Sequence, residues 1–128
     1  MTQRSRYDES VVYRTRDGSQ IRELMHPRVH GNHAQSLAEA TVAPGQRTLL
    51  HRHEHSEELY HIIAGQGWLT LGDTGFTVEA GDTVCIMPQT PHCIENTGQE
   101  SLRILCCCAP AYAHADTVLL EPHGNESE

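Results

Sequence analysis

His51-Arg52-His53-Glu54-His55-Ser56-Glu57-Glu58, answered by a lone His92 further along, is the stretch that decides how this chain folds. Two histidines one residue apart cannot share a helix face, but they share a strand face, because side chains alternate in extended backbone. His51 and His53 then point the same way, ~7 Å apart along the strand. Imidazoles and a carboxylate converging from separate strands are the usual ligands of a divalent Fe, Mn, Ni, Cu or Zn ion.

Outward from that stretch, long helical periodicity is absent. Short apolar runs alternate with glycine, proline and asparagine, the pattern of a sandwich or small barrel. Residues 11–16 and 20–25 read as strands around an Asp17-Gly18-Ser19 turn. Residues 36–43, 47–53, 58–63, 68–71, 76–79, 83–87, 92–96, 101–108 and 117–120 complete an all-β set of ten or eleven strands, with little helix.

With 128 residues the chain makes one domain with a real core. A formal charge of -8, from 17 acidic against 9 basic residues, disfavours nucleic acid and anionic membranes as partners. No run approaches the ~18 apolar residues of a membrane span, and residues 1–10 lack a signal-peptide core, so a cytoplasmic location is expected. Consecutive Cys106, Cys107 and Cys108 do not suit a secreted disulfide framework. They read as small buried hydrophobes, as do Cys85 and Cys93.

The spacing of the candidate ligands narrows the fold further. Gly45, His51, His53, Glu58 and Gly65 stand at the offsets of one short motif; Gly81, Pro88, His92 and Asn96 stand at those of a second. In these residues the chain resembles the small single-domain type of the cupin superfamily over roughly residues 35 to 110. One departure is the turn before His92, Pro88-Gln89-Thr90, where the family has glycine in place of Thr90.

The resemblance implies a jelly-roll β-barrel (a double-stranded β-helix) spanning 35–121, with a metal inside its mouth. It implies His51, His53, Glu58 and His92 as the four ligands. It also implies a homodimer in which strands of the 1–34 segment pack on, or swap with, the partner barrel; residues 122–128 read as a disordered tail. Neutral imidazoles suit borderline metals, and four protein ligands on a six-coordinate ion leave two positions for substrate, water or dioxygen. Fe(II) is favoured as the single ion per chain, with Mn(II), Zn(II), Ni(II), Co(II) and Cu(II) as alternatives.

Residues in phase with the ligands are the expected pocket: Tyr60 and Ile62 from Glu58, Ile94 from His92, with Cys106 and Cys108, or else Cys107, as small walls. Glu58 and Tyr60 are the candidate proton-moving groups. His55 is expected at the rim or just behind the ligands. Glu57 is expected on the surface, pairing with Arg52, and His61 facing away. His26, His30 and His33 read as solvated loop histidines, while His114 and His123 have no role.

The expected ligand is a small organic molecule chelating through oxygen. The leading expectation is a metal-dependent dioxygenase or other oxidoreductase. A Lewis-acid isomerase, lyase or decarboxylase uses the same site, and a non-catalytic metal- or small-molecule-binding domain is the rival from another class.

Overall fold

The computed structural model describes residues 3–122, so the tail expected to be disordered lies, beyond residue 122, outside the described residues. Eleven strands form: β1 (Val12–Arg14), β2 (Gln20–Met25), β3 (Ser36–Val42), β4 (His51–His53), β5 (Glu57–Ala64), β6 (Gln66–Leu71), β7 (Thr74–Glu79), β8 (Thr83–Ile86), β9 (His92–Asn96), β10 (Leu102–Ala109) and β11 (Thr117–Leu119). Each falls where the sequence pattern places one. The exception in length is β4, where residues 47–50 are not strand and Arg47 makes only an isolated bridge to Glu95.

The strands assemble into two facing antiparallel sheets, ordered β1-β2-β3-β10-β5-β8 and β11-β4-β9-β6-β7. The segment before residue 35 pairs with its own chain: β2 runs antiparallel to β3, with Ile21 opposite Ala40. Alternation sorts the faces. On β5 the buried residues are Glu58, Tyr60 and Ile62, and on β10 they are Leu102, Ile104, Cys106 and Cys108. Aliphatic side chains fill one end of the space between the sheets, including Ile62, Leu69, Ile86, Ile94 and Leu102. The histidines occupy the other.

Tight packing at the apolar end demands glycine at Gly67, where a Cβ would stand 2.6 Å from the Glu95 carbonyl oxygen. Asn96 closes the neighbouring loop: its amide donates to the Val42 and Glu100 carbonyls, each at 2.8 Å, and its oxygen accepts the Gly98 N–H at 2.8 Å. The turn at Pro88-Gln89-Thr90 takes its left-handed residue at Gln89 (φ 68°), so Thr90 needs no glycine-like conformation.

One expected loop contains a helical turn instead. In α1 (Pro27–His30) proline stands at the first position, the His26 ring accepts the Arg28 N–H, and Gly31 ends the turn with a φ of 78°. His26 is therefore buried, not solvated as its loop position suggested. Cys85 departs in the other direction: it is exposed, because the alternation along β8 buries Ile86 and turns Cys85 outward. No helix among the described residues is long and apolar enough to cross a membrane.

Candidate metal centre

β4 carries His51 and His53 on its inner face, and antiparallel pairing sets His92 of β9 directly opposite His51. The three ligand-capable ring nitrogens lie within 4.8 Å of one another. All three rings are buried, His92 completely. Glu58, on the facing sheet, brings its Oε1 to 3.2 Å from His53 Nε2 and 3.4 Å from His92 Nε2. Four groups from β4, β5 and β9 thus meet between the sheets.

The far side of each ring decides which nitrogen is free. His51 Nδ1 donates to the Leu49 carbonyl at 2.8 Å and His92 Nδ1 to the Thr90 carbonyl at 2.9 Å. Thr117 Oγ1 commits its own hydrogen to the Ala113 carbonyl, so it accepts from His53 Nδ1 at 3.1 Å. With Nδ1 committed in every ring, each Nε2 turns to the common point, where that of His53 meets Glu58. His92 Nε2 is buried there with no hydrogen-bond partner. A buried polar atom without a partner is costly unless something absent from the protein itself satisfies it. A divalent cation fits that donor set.

Charge is arranged to the same end. Burial would raise the Glu58 carboxyl, but the His53 hydrogen bond and the charges of His53 and His92 reverse this and hold it far below the usual carboxylate range. His53 is drawn down by burial, yet the Glu58 hydrogen bond and charge outweigh that and raise it. His51 is lowered, by burial first and then by His92. Glu58 also takes the Cys108 thiol on its second oxygen, at 3.3 Å, which leaves Oε1 for the imidazoles.

The residue model of the Cupin domain matches residues 38–108, which contain all four of these groups. The chain belongs to the cupin family. It is 52% identical over 118 residues to an uncharacterized protein of Methanocaldococcus jannaschii, across 92% of this chain and 94% of that one. It is 33% identical over 84 residues to the oxalate-binding protein of Thermotoga maritima, across 66% of this cupin and 65% of that protein. Among solved structures it resembles the polyketide cyclase RemF of Streptomyces resistomycificus with a TM-score of 0.80. That match covers 98% of this chain and 89% of the other at 20% identity, a likeness of fold alone.

The cupin interior opens beside the histidines as a small cavity of about 50 Å³. Tyr60, Ile94, Cys106 and Cys108 line it as the strand phase predicts. Tyr60 is raised well above its ordinary value by burial and then by Glu58, so it stays a neutral phenol, its ring 6.0 Å from that of His92. Ile62 does not line the cavity: it shares the Tyr60 face but lies one pleat further into the aliphatic end. His55 is displaced as well. Its side chain is 82% exposed and pairs with Asp116 at 2.6 Å, because the chain turns after His53 and carries it off the strand face. Arg52 pairs with Glu54 rather than Glu57, which is itself exposed. His61 faces outward, bonded to Thr83.

Three residues of the site lie outside both motifs and escaped the sequence reading. Tyr112 lines the cavity with its ring edge-on to His53 at 5.9 Å. Thr117 orients His53. Asp17, from the β1–β2 turn, puts its Oδ2 3.5 Å from His51 Nε2. Strand phase could not have revealed them, since each arrives from a turn or strand end folded over the barrel mouth.

Proposed function

We propose that this cupin binds one divalent metal ion through His51, His53, His92 and Glu58 and acts on a small organic substrate that chelates through oxygen. The observation that carries the reading is His92 Nε2, fully buried and unpartnered, with the Nε2 atoms of two further imidazoles turned to the same point. When bound, Fe(II), the favoured ion, would supply dioxygen chemistry and make the protein a dioxygenase. Three neutral imidazoles and a single carboxylate suit that ion.

The chain's own residues prepare the site. Backbone carbonyls and Thr117 fix the rings, Cys108 steadies Glu58, and Tyr60, Ile94 and Cys106 form a wall that excludes water. A second reading, Lewis-acid isomerase, lyase or decarboxylase chemistry with Zn(II) or Mn(II), is favoured by the neutral Tyr60 phenol, which can donate a hydrogen bond or a proton at its hydroxyl. The oxalate-binding relative supports a third, non-catalytic reading, in which the cupin holds a small oxygen ligand. The chain is also read as a homodimer joined through the free edge of β1, where Val11 and Val12 are exposed; light scattering on the purified protein checks it.

Anaerobic reconstitution with Fe(II), Mn(II), Zn(II) and Ni(II) tests the proposal, followed by oxygen uptake on diketone, phenol and thiol substrates. Uptake with iron alone supports the dioxygenase, and turnover without uptake supports the Lewis acid. Silence with every metal supports the binding protein. Elemental analysis should find one ion per chain in the wild type and none in His92→Ala; equal loading of both would overturn the ligand set.

A further inference from the structure

Asp17 sits outside the segment that matches the family, yet it stands against the one histidine that Glu58 does not touch. Its carboxylate is held in place. Oδ1 accepts the Thr15 hydroxyl at 2.5 Å, the Ser19 amide at 3.0 Å and the Ser19 hydroxyl at 2.8 Å. That leaves Oδ2 for the site, 3.5 Å from His51 Nε2. The turn is pinned over the barrel mouth by the Leu49 N–H donating to the Asp17 carbonyl at 2.8 Å and by Arg16 donating to the Thr117 carbonyl at 3.2 Å. Asp17 and Ser19 are both buried by this arrangement.

The consequence is electrostatic. The cavity wall carries the carboxylates Asp17, Glu23 and Glu58, and no lysine or arginine among the described residues. A dication held with Glu58 and Asp17 beside it leaves the centre with no net positive charge to attract an anion. A small dianion entering there gives up its hydration and meets a fixed carboxylate. A neutral chelator with a hydroxyl hydrogen meets the same carboxylate as a hydrogen-bond acceptor, to which that proton passes when the oxygen binds the ion. His51 and His53 line this cavity, and the unpartnered His92 Nε2 lies within 4.8 Å of their ring nitrogens, where the proposed ion would sit.

We propose that Asp17 sets the ligand class of the site, selecting uncharged chelators that carry a hydroxyl hydrogen over preformed dianions such as oxalate. This rests on the metal-binding reading above. The test uses the full chain loaded with Zn(II) and two probes, 3-hydroxy-4-pyranone and oxalate, titrated calorimetrically and referred to their affinities for aqueous Zn(II). The wild type should favour the pyranone, and Asp17→Asn should move the ratio towards oxalate by roughly tenfold or more, as a full charge at short range requires. Glu23→Gln, which removes the cavity carboxylate that pairs with His26 instead, should move it much less.

Zinc bound at one ion per chain with a ratio that Asp17→Asn leaves unmoved, or that Glu23→Gln moves equally, overturns this proposal and spares the metal site. Failure of the wild type to retain zinc overturns the metal reading and this proposal with it. Should Asp17→Asn not fold, the wild-type ratio decides: oxalate favoured as strongly as by the aqueous ion refutes the selection.

Discussion

Thr117→Val removes one hydroxyl and keeps the shape of the side chain, and its effect follows from burial and two hydrogen bonds. Thr117 is buried; its oxygen accepts from His53 Nδ1 at 3.1 Å and its hydrogen goes to the Ala113 carbonyl at 3.0 Å. Ala113 is exposed, so its carbonyl can turn to water. The loss therefore falls on the His53 ring, whose N–H is left in a buried site without an acceptor, at a cost of about 1–3 kcal/mol. Part of that appears as lowered stability, about 4 °C of melting temperature per kcal/mol for a domain of this size. The rest appears in metal affinity, because the ring no longer holds the tautomer and angle that present Nε2; ~10–100-fold weaker binding is expected. Competition for Zn(II) against a chromogenic chelator measures the second quantity, and a thermal melt the first. Thr117→Ser, which keeps the hydroxyl, should restore most of the affinity. If the valine variant binds zinc within about twofold of wild type while melting lower, the hydroxyl serves only packing and the account of how His53 is oriented is wrong.

Asn96→Ala removes three hydrogen bonds in a fully buried position and should cost about 3 kcal/mol in urea unfolding, with metal stoichiometry intact in the folded fraction. Gln89→Gly relieves a left-handed residue and should raise stability by about 0.5–1 kcal/mol, read as a higher melting temperature with unchanged zinc affinity. Asp116 supplies a pH signature. Burial pushes its carboxyl up, but the His55 ring and the His55 and Ser56 amides reverse this and hold it below its ordinary 3.8. A depressed folded value means stability present above about pH 4 and lost as the pH falls through that value. Asp116→Asn should therefore be less stable than wild type near neutrality, with the gap narrowing in acid. A gap independent of pH would show that the carboxylate's charge is not what holds the turn.

The strand-by-strand legibility of this fold has a simple cause. Strands such as β5, β9 and β10 have one buried and one more open face, so a period of two survives in the sequence, and glycine or proline marks nearly every turn. The motif residues His51, His53, Glu58 and His92 were legible because they sit on strands whose phase fixes their direction. Ile62 shows the limit of phase: it gives the face but not the depth, and depth decided whether Ile62 met the cavity or the core. His26 shows another: its burial depends on what packs above it, which composition alone does not encode. Cys85 was misread from residue type, where its alternation with Ile86 turns it outward. Asp17, Tyr112 and Thr117 were illegible for a related reason. Their positions follow from where the N-terminal hairpin and the C-terminal segment close over the barrel.

The manner in which the rings are anchored bears on how such a centre drifts under mutation. Two of the three imidazoles lean on main-chain carbonyls, those of Leu49 and Thr90, which single-residue replacement cannot delete. Only His53 depends on a neighbour's side chain. Genetic variation that loosens a ring while sparing the imidazole itself is thus channelled through position 117, a lone adjustable screw on an otherwise welded set of three.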